Sequence, residues 1–185
     1  MYILNDIVKI RVLSELATGA VDASATAIDS VAIQSMSYSP AYVEGVQQVQ
    51  RGGGDIVAVI EEEDKFLGAD FTLDMAGFEP ALKAAIAGGV ATATKWSAPK
   101  DDTEMPDPFR LKVWVKNYTT SDSDSTQDGF IMYEMAFCKK GKIGSATSAQ
   151  QAFTNDQFVF KARKNSSNPS AIETAITQEK VAAIV

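Results

Sequence analysis

Hydrophobic and polar residues alternate along several segments of this chain, and such alternation is typical of half-buried β-strands. The alternating segments are residues 7–13, 71–75, 109–116 and 158–163. Residues 130–138 carry large side chains at both odd and even positions, which indicates a central strand or one that is also covered on its outer side. The pattern therefore predicts a mainly β fold, either a β-sandwich or a β-barrel.

One segment has a helical period instead. Pro80 suits the first position of a helix, where its missing N–H removes no hydrogen bond. Leu82 and Ile86 lie on one face at helical spacing, and Gly88 is a common helix stop. We predict a single flanking α-helix near residues 79–88.

Polar, turn-forming stretches separate these elements and predict long loops. They are residues 20–30, 97–108, 119–128 and 145–151. The C-terminal segment, residues 165–185, fits two structures, because Ser170 and Glu173 suit a helix cap whereas the apolar end suits an extended arm. No internal repeat divides the chain, so residues 1–185 are expected to form a single domain.

The charge and the apolar content of the chain argue against two classes of function, nucleic-acid binding and membrane insertion. The 185 residues carry a formal net charge of -7, whereas a protein that grips nucleic acid needs a basic face. No apolar run approaches the ~20 residues of a membrane helix, and the N-terminus reaches Asp6 before any hydrophobic region develops. We expect a soluble protein that does not insert into a membrane.

Histidine is absent, and Cys138 is the only cysteine. This excludes histidine-based catalytic triads, histidine metal sites and an intrachain disulfide. Cys138 lies in an apolar run, so we expect a small core residue rather than a reactive thiol. No cofactor, no metal and no enzymatic activity are predicted.

Three glycines at 52–54 precede a β-branched strand at 55–60 and predict a turn. A phosphate-binding loop would need Lys and Ser or Thr after the glycines and then a helix. The acids after the strand are Glu61, Glu62, Glu63 and Asp64. We place them in a solvated hairpin connection to residues 66–71.

Residues 122–129 offer oxygen atoms at alternate positions, as a calcium-binding loop does. Gln127 stands where such a loop needs glycine, and Tyr133 stands where it needs a bidentate Glu. We expect an exposed loop without a metal.

Charges of opposite sign are predicted to lie in different elements. The acids gather in loops and include Glu61, Glu62, Glu63, Asp64, Asp101, Asp102, Asp122 and Asp124. The bases gather on strands and on one turn at 139–142, and include Arg110, Lys112, Lys116, Lys139, Lys140, Lys161 and Arg163. Complementary patches of this kind fix the register of a self-assembling subunit. Solvated surface charge without a role is the alternative.

The order of the elements resembles that of the major tail tube proteins of long-tailed bacteriophages, particularly those with non-contractile tails. The resemblance spans most of the chain and rests on element order, because that family has no catalytic signature. The features that carry it are the N-terminal strand, the segment 31–38, the glycine turn at 50–55, the acidic hairpin, the helix that opens at Glu79 and Pro80, and the late strand at 153–160.

The resemblance implies a β-sandwich or barrel of the tail-tube type, assembled as hexameric rings that stack into a hollow tube for the passage of DNA into the host. The subunit's main partner is then itself, with the tape measure, tail terminator and baseplate proteins as further partners. The N-terminal segment, the loops near 97–108 and 119–128, and the C-terminal segment 165–185 become candidate arms between subunits. The acids named above become candidates for the lumen or the contact between rings, and the bases for the contact between subunits. The protein would reside in the tail of the virion, and in the host cytoplasm during assembly.

Two other functions fit the same sequence. One is the tube or ring protein of a contractile injection machine or a type VI secretion system, which a sheath-binding outer surface would distinguish. The other is a discrete β-sandwich module that binds carbohydrate on an exposed aromatic platform. The residues available for such a platform are Trp96, Trp114, Tyr118 and Tyr133.

Overall fold

The computed structural model describes residues 2–4, 6–16, 18–52, 55–117, 129–148, 154–163 and 176–184. Within these residues lie thirteen strands, one α-helix and one short 3₁₀-helix at Asp102–Glu104. The strands are β1 (Tyr2–Leu4), β2 (Ile7–Ser14), β3 (Ile28–Ser30), β4 (Ile33–Val43), β5 (Gln47–Gly52), β6 (Asp55–Glu61), β7 (Lys65–Ala76), β8 (Val90–Ala91), β9 (Trp96–Ser97), β10 (Phe109–Lys116), β11 (Phe130–Ser148), β12 (Thr154–Arg163) and β13 (Ile176–Val181). The helix is α1 (Pro80–Ala87). The protein is therefore mainly β, as the alternation predicts.

Nine of the strands form one antiparallel sheet. The order across it is β1-β4-β7-β12-β11-β10-β2-β3, and β13 pairs with β11 beside this path. Cys138 of β11 lies opposite Ala162 of β12, and Met135 of β11 lies opposite Ile176 of β13. Strand β13 therefore continues along the same edge of β11 where β12 ends.

The sheet curls around a single core. Strands β2 and β4 are not hydrogen-bonded neighbours, yet their Cα atoms approach within 8 Å. Aromatic rings fill the interior, with Phe71 stacked on Phe160 at 5.3 Å between centroids and Phe109 at 5.5 Å from Phe160. Because alternate residues of each strand face this core, the opposite face is left for polar side chains.

Helix α1 covers part of the core, and its position confirms the predicted helix. Pro80 occupies the start of the helix, and Gly88 follows its end at a φ of 78°, which favours glycine. The side chains of Leu82 and Ile86 are fully buried. Their burial is what attaches an eight-residue helix that would not be stable alone.

Strands β5 and β6 form a separate two-stranded sheet between β4 and β7. The chain reverses between Gly52 and Asp55, where the glycines predict a turn. The predicted hairpin connection at 61–64 is wrong, because β6 pairs with β5 and β7 pairs with β4. Residues 62–64 instead lie opposite 44–46, at a break partway along one long hairpin.

The turns predicted at 139–142 and at 145–151 are also wrong as far as Ser148, since β11 runs unbroken through both. Gly141, which lies in this part of β11, does not form a turn but allows a close contact with the helix. A Cβ atom on Gly141 would lie 1.7 Å from the carbonyl oxygen of Ile86, so glycine allows helix α1 to approach the strand. The register with β12 shifts between Lys139 and Lys142, as at a β-bulge.

The remaining predicted loops agree in part with the structure. The loop near 97–108 is irregular apart from the end of β9 and the 3₁₀-helix. The loop near 119–128 lies outside the described residues. The C-terminal choice between helix and extended chain is settled for 176–181, which form β13. No helix in the described part of the chain is long and apolar enough to span a membrane.

Candidate assembly surface

The break in the long hairpin carries a group of exposed apolar side chains. We name residues 42–46 and 62–67 the joint. Its exposed apolar side chains, with exposed fractions between 43% and 58%, are Tyr42, Val43, Val46, Phe66 and Leu67. Tyr42 and Phe66 are opposite one another in the ladder, and their rings meet edge-on at 5.5 Å.

Acids surround this apolar group. Glu44, Glu62, Glu63 and Asp64 are all exposed. The backbone of the joint is held by a hydrogen bond from Gly45 N to Asp64 Oδ1 at 2.8 Å and by one from Glu62 N to Val46 O at 3.3 Å. A Cβ atom on Gly45 would lie 1.6 Å from the carbonyl oxygen of Glu62. Glycine at this position therefore allows segments 42–46 and 62–67 of the same chain to lie close together.

The sequence contains a signal for this surface that the pattern analysis missed. Tyr42 precedes Val43, and Phe66 precedes Leu67. Neighbouring residues of a strand point to opposite faces, so a sheet with one core can bury only one residue of each pair. Consecutive apolar residues beside acids therefore indicate a surface that contacts a partner.

A second surface, which we name the basic face, lies on the outer side of β11 and β12. Its cations are Lys139, Lys142, Lys161 and Arg163. Lys161 and Arg163 alternate with buried residues of β12, and Lys139 lies opposite Lys161. Lys139 and Lys142 are exposed, whereas the side chain of Lys140 lies outside the described part of the structure.

One carboxylate lies within the basic face. Asp70 receives a hydrogen bond from Arg163 Nη2 at 2.6 Å and an ion pair from Lys161 at 3.6 Å. Arg163 also donates to the carbonyl oxygen of Ala69 at 2.9 Å. Among the residues that the structure describes, the basic face thus combines four cations with the carboxylate of Asp70.

Two of the other predicted bases, Arg110 and Lys112, are matched by acids of the same chain. Arg110 Nε donates to Glu15 Oε1 at 2.6 Å, and Arg110 Nη1 donates to Glu134 Oε1 at 2.8 Å. Lys112 lies 3.2 Å from Glu134. Lys116 is exposed at the end of β10. The ion pairs of Arg110 hold β10 against its neighbours, and the buried Glu15 is a partner that sequence reasoning missed because it is 95 residues away.

The predicted acids do not form one cluster. Glu62, Glu63 and Asp64 lie together in the joint, and Glu61 ends β6. Asp101 and Asp102 lie in the loop beside the C-terminal end of α1, where Gly89 N donates to Glu104 O. Hydrogen bonds from Thr103 lower the pKa of Asp101. Asp122 and Asp124 lie outside the described residues.

Trp114 does not contribute to an exposed aromatic platform. It is 2% exposed, with Lys9 Nζ at 5.7 Å and Arg11 Cζ at 5.8 Å from the ring centroid. The Trp96 indole donates to the carbonyl oxygen of Gly88, and Tyr133 is half-buried. Tyr118 lies outside the described residues. The carbohydrate-binding hypothesis therefore loses the central residue of its platform.

No arrangement for chemistry emerges from the described residues. Among them, no three Asp, Glu or Cys side chains converge as metal ligands. A cavity of about 410 Å³ lies between the end of α1 and the 3₁₀-helix, where Glu104 accepts a hydrogen bond from Lys100 N. Cys138 is fully buried, and burial raises the pKa of its thiol, which confirms a core residue rather than a nucleophile.

The fold and its surfaces define a mainly β protein with one curled antiparallel sheet and a separate two-stranded hairpin, β5–β6. The solved structures include two similar chains. One belongs to the tube-terminating cap of the anti-feeding prophage, with 8% identity and a TM-score of 0.45 over 98% of this chain and 93% of that one. The other belongs to the sheath-tube complex of PVC, an extracellular contractile injection system, in its extended state, with 9% identity and a TM-score of 0.42 over 94% of this chain and 90% of that one.

No protein-family model matches the chain, and no curated protein matches it significantly. The two similarities are of backbone at very low identity. Function therefore has to be inferred from this chain's own residues.

Proposed function

We propose that this protein is a structural subunit of a tail tube, which self-assembles into stacked hexameric rings around a channel for DNA and performs no chemistry of its own. The main partner is a second copy of the chain. Tape measure, tail terminator and baseplate proteins are the further partners proposed, in the tail of a virion assembled in the host cytoplasm. The alternative within the same class is the tube or ring protein of a contractile injection machine or a type VI secretion system, which a sheath-binding outer surface would distinguish.

The single observation that carries this proposal is the exposed joint together with the separate β5–β6 hairpin beside it. Five apolar side chains of the joint are exposed, and β5 and β6 pair with no other described strand. An isolated two-stranded hairpin is marginally stable in water, and a contiguous exposed apolar patch usually marks an interaction site. A surface of this kind is stable when another subunit covers it.

The edges of the sheet support the same role. In the part of the chain that the structure describes, β13 pairs with β11 on one side only, and β1 and β3 end the sheet. Unpaired strand edges offer rows of N–H and C=O groups to another chain. In a ring of identical subunits, each edge has a neighbour with which to pair.

The net charge of -7 suits a channel for DNA. Duplex DNA carries about one negative charge per 1.7 Å of its axis, so a basic wall would retain it. Acids that face the lumen repel DNA over ~8 Å at physiological salt, which keeps the polymer from adhering at close contact. We assign the loop acids Asp101, Asp102, Asp122 and Asp124 to the lumen or to the contact between rings.

Negative-stain electron microscopy of the purified protein tests the proposal. We expect rings or short tubes to appear as the protein concentration is raised, because the joint and the sheet edges become covered. Uniform single particles at every concentration and salt would contradict it. So would turnover of a substrate in the cavity beside α1.

A further inference from the structure

We propose that the joint of one copy docks on the basic face of the next, so that these two surfaces form a head-to-tail contact between subunits. This inference rests on the proposed self-assembly and names the surfaces that it uses. The joint comprises residues 42–46 and 62–67, and the basic face comprises Lys139, Lys142, Lys161 and Arg163.

The charges of the two surfaces are complementary. The joint displays four exposed acids, and no base of the joint other than Lys65 lies beside them. The basic face brings four cations together, with Asp70 as the carboxylate among its described residues. Opposite potentials steer two surfaces together and fix their register, while like charges exclude wrong pairings.

The apolar side chains of the joint can be covered in the same contact. The aliphatic stems of lysine and arginine lie along apolar surfaces while their charged groups reach nearby acids. Val159 alternates with the buried residues Phe158 and Phe160, so it lies on the same face of β12 as Lys161. It is opposite Lys142 and adds an apolar side chain to the basic face. Tyr42 and Phe66 would supply the aromatic contacts that are enriched at interface centres.

The contact has to be intermolecular. Arg163 lies opposite Gly68, and Gly68 lies opposite Ala41. The pairs of the joint follow next along the β4–β7 ladder, so the joint extends the sheet beyond the basic face and does not fold over it. A second copy can place its joint there.

The two surfaces differ, so the contact is heterologous. Each copy offers a joint at one side and a basic face at another, and such contacts build closed rings or open filaments rather than two-fold dimers. The occupant of the joint is thus a second copy of this chain. A different protein or a small ligand would leave assembly independent of the basic face.

Charge reversal with rescue tests the contact. One variant reverses the joint, with Glu62→Lys and Glu63→Lys, and another reverses the basic face, with Lys139→Glu and Lys161→Glu. We expect each to raise the concentration needed for assembly by at least about tenfold at low salt. The variant with all four substitutions should assemble within about threefold of the unmodified protein, because the potentials are complementary again.

The controls separate this contact from general effects of charge. Lys95→Glu with Lys100→Glu makes the same change in net charge as reversal of the basic face, but at exposed positions outside both surfaces, and should leave assembly unchanged. A cooperative melt of each variant shows that it is folded. Glu62, Glu63 and Lys139 are exposed and the side chain of Lys161 is 43% exposed, so all variants are expected to melt near the unmodified protein.

The outcomes distinguish the two proposals. If the unmodified protein forms rings and both reversed variants do so equally well, the assembly stands and this contact is wrong. The contact is also wrong if the fourfold variant is folded but fails to recover assembly. If the unmodified protein stays monomeric throughout, both the contact and the proposed function are overturned.

Discussion

At the scale of single residues, stability depends on an ion pair inside the protein. Lys83 of α1 lies 2.6 Å from Asp156 of β12, and their side chains are only 10% and 5% exposed. The Lys83 ammonium also lies 4.6 Å from the Phe78 ring centroid and 5.5 Å from that of Trp96. This pair fixes the helix to the sheet, because either charge alone would be buried without a partner.

Asp156→Ala should therefore lower the free energy of unfolding by about 3–5 kcal/mol, since it leaves the Lys83 ammonium unpaired. Asp70→Ala is the matched control on the neighbouring strand, because Asp70 is 45% exposed, and should cost about 1 kcal/mol or less. Urea denaturation of the two variants and the unmodified protein measures both losses in the free energy of unfolding. Equal losses in the two variants would show that the Lys83 pair is not buried as described.

A second residue links stability to pH. The hydrogen bond from Arg11, with a smaller contribution from Lys9, lowers the pKa of Asp29. A carboxyl group whose pKa is lower in the folded state stabilises the fold above its unfolded pKa, which is about 3.9. That stabilisation is lost as the pH falls towards the folded pKa.

Asp29→Asn should consequently destabilise the protein at pH 7 by about 1 kcal/mol at most, because the pair is partly exposed. The difference between variant and unmodified protein should shrink as the pH falls below about 4. Urea unfolding at several pH values measures it. A difference that stays constant or grows in acid would contradict the role of the ionised carboxylate.

At the scale of elements, the regular alternation predicts β2, β10 and β12 well, because one side of each strand faces the core. Helix α1 is predicted within one or two residues from its proline, stripe and glycine. The continuation of β11 past Lys139 could not be predicted, because the glycine that allows a close contact with Ile86 looks like a turn in sequence.

The joint and the basic face could be predicted from the sequence only in part. The acids of the joint and the bases of β12 are visible in the sequence as charged runs. The pairing that makes 62–64 face 44–46 depends on long-range register, and the match of Arg110 with Glu15 spans 95 residues. Such partners follow from the sheet order and not from any local pattern.

Two glycines allow a prediction about elements. Gly141→Ala should destabilise the whole protein by several kcal/mol, roughly as overpacking does, since its Cβ would meet the backbone of the buried helix. Gly45→Ala creates a similar clash at the joint, but the joint lies outside the buried core cluster. We expect little change in the free energy of unfolding but weaker assembly.

Thermal melts measure the loss of stability expected for Gly141→Ala, and sedimentation measures the weaker assembly expected for Gly45→Ala. Each glycine serves as the control for the other, because the steric conflict with a carbonyl oxygen is nearly the same in both. Loss of global stability in Gly45→Ala would show that the hairpin is part of the cooperative core. Unchanged stability in Gly141→Ala would show that α1 does not pack on β11 as described.

At the scale of the whole molecule, the core is complete within one chain, whereas the surface is not. The interior holds four buried phenylalanine rings, one side of the helix, and two ion pairs in which Asp156 and Glu15 are the buried acids. Among the described side chains, those of the joint and of the basic face lie outside that core. In the function that we propose, further copies of the chain supply the contacts that cover these surfaces.

Sedimentation velocity over a wide range of protein concentrations measures this most directly. The account predicts a cooperative shift from the 19.8 kDa chain to a closed species of about six chains, followed by larger stacks. A single species with the mass of one chain at all concentrations and salts would contradict it.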